Sequence, residues 1–403
     1  MMAKHQLDNK ADFHLRRAVE RLREGLFDPV AVRLLTAHED RLNRLVDQGF
    51  RDIDRGNASH LCICGAYGQG KSHSLNYIHS RALAANFAVS MINLDPREVA
   101  FHDFRQVYRA LVAALQFPDG ETSLVAKWRA WAADKPIEEV NGLLPKEMPH
   151  PFRAMLAGVA QKTVLLNDRQ RQSKKHAAYR PREFPYLLAK SLVGDVVPIY
   201  RLQQALKYRQ VDFYRQASLA CKGNDPYLQM VQSLGQLFRQ MGYRGWVLLF
   251  DEGESISQVR VTTRSRSYRL LDQLFFPNIP CALYPIFAFT GDFFQKVEDE
   301  VYDQVRVTDD VEIPYFDKDY AHAWRGLTRY VLQNLTHNEW KVLSEKLMHL
   351  HGQAYRWQPP ETKTHQAMAE RLSHMQGQET RYQLKALVDE LDLIYQETVL
   401  VRL

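Results

Sequence analysis

Eight consecutive residues, G-A-Y-G-Q-G-K-S from Gly65 to Ser72, set glycines, a lysine and a hydroxyl at the spacing that wraps a chain around a phosphate group. Glycine reaches backbone angles closed to other residues, so Gly65, Gly68 and Gly70 let the main chain curl until its N–H groups point at one anion. The apolar run Leu61 to Cys64 precedes the loop, and a helical pattern through Leu75, Ile78 and Leu83 follows it. The loop therefore leads from a strand into a helix whose positive end faces the same anion. In this arrangement Lys71 reaches the β- and γ-phosphates of ATP and Ser72 supplies a magnesium ligand, while Ala66, Tyr67, Gln69 and His73 complete the nucleotide-contacting segment. A dinucleotide fingerprint is excluded, because G-x-G-x-x-G is absent.

A second group of chemical residues closes the run W-V-L-L-F-D-E, Trp246 to Glu252. A continuous apolar run reads as a central strand of a parallel sheet, and ligands of such sheets bind at the carboxyl ends of the strands. Asp251 is placed to hold magnesium, directly or through water, and Glu252 to orient and polarise an attacking water. Thr290 ends the similar run P-I-F-A-F-T, where its hydroxyl either sits between the acids and the γ-phosphate or simply satisfies a strand-to-loop turn. Arg306 precedes the short strand Val311 to Ile313. It reads either as an arginine acting on the γ-phosphate of a neighbouring subunit, which requires a homo- or hetero-oligomer, or as a solvated side chain among Asp303, Asp309 and Asp310. Arg260, Arg264, Arg266 and Arg269 form a rival set for that role.

The elements that must position these residues follow from periodicity. Residues 1–60 read as helices leading into the core. Residues 61–116 and 225–314 read as a P-loop NTPase core, with strands at Leu61–Cys64, Ala88–Leu94, Trp246–Phe250, Ile286–Phe289 and Val311–Ile313, and a helix over Asp103–Leu115. Between them, 117–224 is a proline-punctuated helical insertion. Residues 315–403 read as helical throughout, a lid domain, with Trp324, Leu327, Tyr330 and Val331 on one face. The fold class is α/β, an AAA+-like parallel sheet flanked by helices.

The chain has 403 residues, 45% of them hydrophobic, enough for substantial cores. Met1 to Arg17 is charged, and no segment has the uninterrupted apolar length of a membrane span, so a soluble cytoplasmic protein without membrane contact is expected. Four cysteines without motif spacing predict reduced thiols and no zinc site. The net charge of +6 is concentrated in the insertion. From Lys162 to Arg215 there are 12 lysines and arginines against 4 acids, interleaved with Tyr179, Phe184, Tyr186, Tyr200, Tyr208, Phe213 and Tyr214. This suits phosphate contacts with base stacking on DNA, and equally a solvated helical surface over a local aromatic core.

With these residues in view, the chain resembles the ATP-binding protein family of BREX-type bacteriophage-exclusion loci, a group similar to the origin-recognition and STAND branches of AAA+ ATPases. The likeness runs through A-V-E-R-L-R-E-G-L (Ala18 to Leu26), G-A-Y-G-Q-G-K-S-H (Gly65 to His73), N-L-D-P-R-E-V (Asn93 to Val99) and V-L-L-F-D-E-G-E (Val247 to Glu254). It covers the core well and the insertion poorly. The resemblance implies a parallel sheet flanked by helices, a helical lid beginning near Pro314, ATP as ligand, and a part in phage defence beside a helicase or other DNA-processing partner. It also implies a lid arginine touching the γ-phosphate, a position that Gly377-Gln-Glu-Thr-Arg381 gives to Arg381. Gly253 departs from the aliphatic or small residue usual after the two acids. A winged-helix DNA reader, frequent in the origin-recognition branch, has no obvious place after the lid, so direct sequence-specific DNA binding is not expected.

Three functional classes fit these residues: an ATP-hydrolysing switch or motor subunit, a nucleotide-bound assembly scaffold with little turnover, and a DNA or helicase loader. The loader class carries its own test. Charge reversal at Lys174, Lys175, Arg180 and Arg182 is expected to weaken low-salt DNA binding without changing ATP affinity, measured by filter binding across a salt series.

Overall fold

Side-chain alternation along the apolar runs decides which layer covers which face. The computed structural model describes residues 2–26, 28–36, 39–160, 183–209, 211, 217–303, 305–308 and 311–399. Helices α1 (Met2–Arg23), α2 (Pro29–Leu35) and α3 (Glu39–Asp54) precede strand β1 (Leu61–Cys64), helix α4 (Lys71–Ala84) and strand β2 (Ala88–Asn93). Helix α5 (Phe104–Ala113) and the edge strand β3 (Leu115–Gln116) lead to α6 (Leu124–Ala132), α7 (Ile137–Leu143), α8 (His150–Ala160), α9 (Glu183–Leu192) and α10 (Ile199–Tyr208). The chain returns through α11 (Asp225–Gln240), β4 (Trp246–Asp251), α12 (Val261–Phe275), β5 (Leu283–Phe289) and α13 (Phe293–Asp303). The ribbon β6 (Val305–Thr308) and β7 (Val311–Pro314), then α14 (Tyr320–Ala323) and β8 (Arg329–Val331), lead to α15 (His337–Tyr355), α16 (Glu361–His374) and α17 (Thr380–Val399).

The six-stranded sheet has the order β3-β2-β4-β5-β1-β8, and every pair is parallel except β2 with β3. Register sets the carboxyl ends side by side: Asn93 lies opposite Asp251, Phe289 opposite Cys64, and Cys64 opposite Val331. Gly65, Thr290, Asp251 and Glu252 consequently emerge at one edge. Leu61, Ile63, Val89, Val247, Leu249, Ile286 and Ala288 face α3 and α4, whereas Cys62, Cys64, Ala88, Leu248, Phe250, Phe287 and Phe289 face α5, α11 and α12. Phe250 stacks on Phe287 at 4.2 Å and Phe289 on Phe293 at 4.1 Å, filling the second face beside the site. The insertion helices share this second core: Trp128, buried, donates from its indole to Leu156 O, and Tyr108 packs on Phe152 and Tyr227.

Three readings of the sequence need correction. The strand at Val311–Pro314 exists, but it pairs only with β6 and takes no place in the sheet. The sixth strand is β8, inside a stretch read as helical; Trp324 and Leu327 pack in one core and Tyr330 in the other, so they do not share a helix face. A three-residue strand carries too little alternation to be told from a helical turn. Likewise the helix expected to reach Leu115 stops at Ala113, and Leu115–Gln116 pairs with β2.

A third core joins the two ends of the chain. Ala18, Val19 and Leu22 of α1 and Ala31 and Leu35 of α2 pack with Leu343, Leu347 and Leu350 of α15 and Leu387, Val388 and Leu391 of α17. The first helix thus belongs with the C-terminal helices, whereas α3 lies on the sheet. Among the described residues no helix is long and apolar enough to cross a membrane.

His60, just before β1, ties the sheet's outer strand in place. Its Nε2 accepts from Thr328 N at 3.1 Å, and the rings of Phe275 and Phe276 lie 5.3 and 5.6 Å away. Burial pushes its pKa down to about 4 from 6.5. In the unfolded chain the imidazole protonates first, so stability is complete above about pH 6.5 and falls as pH drops toward 4. Urea unfolding at pH 5 is expected to show about 2 kcal/mol less stability from this group than at pH 7.5, and His60→Gln to flatten that difference.

Candidate nucleotide site

The phosphate loop leaves β1 at Gly65, whose N–H donates to Phe289 O at 3.1 Å, so the loop starts against the end of β5. Gly68 and Gly70 have φ of +76° and +100°, angles that carry the curl of the chain into α4. Gly70 occupies the cap position of α4 with no side chain to satisfy the first N–H groups of the helix. No side-chain cap meets these donors, which stand at the positive end of a 14-residue helix, an end suited to an anion.

Lys71 is buried, and its ammonium donates to Gly65 O at 3.1 Å and Ala66 O at 3.3 Å, with the Tyr67 ring 4.7 Å away. An ammonium held by carbonyls and a ring face, with Glu252 near enough to feel its charge, would be matched better by a phosphate. Gln69 braces the loop: its Oε1 accepts from Ala66 N at 2.7 Å and its Nε2 donates to Asn334 Oδ1 at 2.8 Å. The Thr36 hydroxyl donates to Val32 O at 2.6 Å, so in its 2.9 Å contact with His73 the imidazole Nε2–H is the donor. Burial holds the His73 pKa near 4, keeping the ring neutral in this role. His73 therefore builds the wall of the cleft.

One cleft gathers Gly68, Lys71, Ser72, Glu252 and Arg381, with Leu26, Val32, Leu35 and Leu384 as apolar lining at its far side. The expected residues Lys71, Ser72, Glu252 and Arg381 are brought together. Asp251 and Thr290 stand at the ends of adjacent strands behind the cleft lining. Arg381, in the first turn of α17, makes no hydrogen bond or ion pair among the described residues. Arg306 lies on the β6–β7 ribbon opposite Ile313, and its side chain is outside the described residues. Of the rival arginines, Arg264 is committed to Glu300 at 3.0 Å and to Ser257 O at 2.7 Å, while Arg260, Arg266 and Arg269 are exposed away from the cleft.

Glu252 adopts left-handed backbone angles, φ +56° and ψ +39°, uncommon for a residue with a side chain. Its N–H donates to Asp251 Oδ1 at 3.0 Å. Burial, then Glu254 and Asp251, raise its pKa, and Lys71 opposes them. Glu254, in the same turn behind Glu252, was given no role by the sequence and is not among the residues that line the cleft. It is 4% exposed, and its carboxylate lies beside the Tyr67 hydroxyl and the Glu252 carboxyl group. The D-E-G-E run was its only signal in the sequence. Gly253 explains itself by space: a Cβ there would lie 2.7 Å from Ala288 O and 2.8 Å from the Phe289 ring. No group of three or more His, Cys, Asp or Glu among the described residues is arranged to hold a metal. Magnesium at Ser72 and Asp251 would therefore take most of its ligands from phosphate and water, its usual habit.

Of the basic insertion, Lys162 to Arg182 and Asp212 to Arg215 lie outside the described residues. In the remainder Phe184 packs on Tyr208 at 5.0 Å, and Tyr186 and Tyr200 are exposed.

Gly253→Ala is expected to lower stability by about 2 kcal/mol, because the new methyl meets backbone and a packed ring. Gly291→Ala, with nothing within 4 Å of its added carbon, is the matched control and should unfold in urea like the wild type.

A family profile described as BREX system ATP-binding protein BrxC/D matches residues 14–144 and 213–400. It spans β1, the phosphate loop, β4, β5, β8 and α17, and leaves out 145–212, which hold α8, α9 and α10. No curated protein and no solved structure matches the chain. With every residue of the cleft inside the matched segments, the chain belongs to the family of BREX system ATP-binding proteins, BrxC/D.

Proposed function

We propose that this protein is a P-loop ATPase of the AAA+ type that binds and hydrolyses ATP as a switch or motor subunit of a phage-defence system. The observation that carries the reading is the convergence of Lys71, the glycine-capped head of α4, Glu252 and Arg381 on one cleft. Strand order supports it further, because β5 separates the loop strand from the acid strand, the spacing that Lys71 and Glu252 would need to flank a γ-phosphate and a water.

In this reading the loop N–H groups and Lys71 hold the β- and γ-phosphates, and Lys71 exchanges its two loop carbonyls for phosphate oxygens. The base stacks against the apolar side formed by Leu26, Val32, Leu35 and Leu384. Magnesium, held by Ser72 and by Asp251 directly or through water, would neutralise phosphate charge. Glu252 orients the attacking water and draws its proton as the oxygen approaches the γ-phosphorus. Its raised pKa makes it a stronger base than a solvated glutamate. Arg381 meets charge on the transferred group from the lid side, and Arg306 serves a neighbouring subunit in an oligomer. Thr290 lies between the acids and the loop, suited to hold the water. Work from the cycle passes to a protein partner that processes DNA, in the cytoplasm.

Glu252→Gln is expected to lower steady-state ATP hydrolysis by about a hundredfold or more while leaving ATP binding intact. Turnover equal to wild type in that variant would remove Glu252 from the base role.

A further inference from the structure

Arg381 is set in place by the first helix of the chain, not by the sheet. Helix α1 ends in a paired closure in which Gly25 N donates to Leu22 O at 2.9 Å and Leu26 N to Arg21 O at 2.7 Å. Such a closure puts the residue at the turn in left-handed space, and Gly25 has φ +72°. A Cβ on Gly25 would sit 3.5 Å from Arg381 Cδ and 3.6 Å from Cγ, so the arginine stem lies flat on the bare glycine. Just beyond, Asp28 is 1% exposed; its Oδ1 accepts from Val30 N at 2.9 Å, and Arg17 of α1 pairs with its other oxygen at 2.9 Å. Gly25 and Asp28 are thereby both tied to α1.

Helix α1 is in turn fixed to the helix that carries Arg381. Arg23 grips Asp392 of α17 with two bonds, Nε to Oδ2 at 2.8 Å and Nη2 to Oδ1 at 2.9 Å. His351 of α15, fully buried, presents Nε2 to Asp392 Oδ1 at 3.0 Å while its Nδ1 accepts from the Trp357 indole at 2.9 Å. Arg16 Nε also donates to Ala354 O at 2.8 Å. The bidentate fork fixes both the distance and the rotation between α1 and α17, which a single contact would not.

We propose that Gly25 and the Arg23–Asp392–His351 anchor are positioning groups for Arg381, holding its guanidinium over the phosphate end of the cleft so that the terminal phosphate is sensed jointly by the two ends of the chain. This inference rests on the ATP reading above. In it, α1 moves with the C-terminal helices when nucleotide draws Arg381 inward, and the ATP state reaches the first helix of the chain without passing through the sheet.

The test compares ATP and ADP affinity by calorimetry, with magnesium, in wild type, Arg381→Ala, Gly25→Asn and the double variant. Asparagine tolerates the left-handed angles, so Gly25→Asn keeps the turn; its Cβ meets the arginine stem at ordinary contact distance and its amide, reaching further, displaces it. Arg381→Ala is expected to reduce the preference for ATP over ADP about tenfold or more. Gly25→Asn should reproduce most of that loss, and the double variant should be no worse than Arg381→Ala alone. Arg23→Lys, which keeps the charge and loses the fork, provides the second route and should give a smaller loss of the same sign. A wild-type ratio in both Gly25→Asn and Arg23→Lys, or additive losses in the double variant, overturns the positioning role. If wild type binds no ATP, or Lys71→Ala binds it equally well, the ATP reading itself falls and the inference goes with it.

Discussion

The structure depends on the head of α4, whose cap residue brings no side chain to its first N–H groups. A helix that begins on glycine rather than on serine, threonine or aspartate has no side chain to satisfy its first donors, and those donors open into a cleft at the carboxyl edge of a parallel sheet. Everything nearby is arranged about that imbalance. Lys71 turns back on the loop carbonyls, Gln69 braces the curl from the linker side, and His73 and Thr36 close the wall. Parallel pairing supplies the rest: because β1, β2, β4, β5 and β8 run the same way, their ends deliver the loop, the two acids and Thr290 to one edge.

Negative charge gathers in the turn after β4, which gives Glu252 to the cleft and keeps Asp251 and Glu254 behind its lining. Asp251, Glu252 and Glu254 follow one another within four residues, folded tightly because Gly253 lets the turn press against β5. Glu252 takes uncommon backbone angles to face the cleft, and Glu254 is buried beside it and the Tyr67 hydroxyl. Such an acidic, strained turn is costly on its own and is sustained by the packed aromatic face beneath it, where Phe250, Phe287, Phe289 and Phe293 stack in sequence.

Much of the core was legible in the sequence, since long apolar runs such as Trp246–Asp251 and the glycine spacing of the loop are local signals. Very short strands were not: β3 and β8 are defined by partners far along the chain, and their own residues fit a helix equally well. The burial of Glu254 was hidden for the same reason, because it depends on how β5 packs beneath the turn. The placement of α1 was also out of reach. Its apolar spacing announces a helix, but nothing local says that its partners are α15 and α17 at the other end of the chain. Arg381 was found through a resemblance, and only the fold shows that it rests on Gly25.

The central claim is that this cleft is a nucleotide site built around Lys71, and calorimetric titration of the purified protein with ATP in magnesium tests it most directly. Wild type should take up one ATP per chain, and Lys71→Ala should bind at least about tenfold more weakly, the loss expected when a charge-assisted bond to phosphate is removed. Equal affinity in the two proteins, or no binding by wild type, would contradict the account.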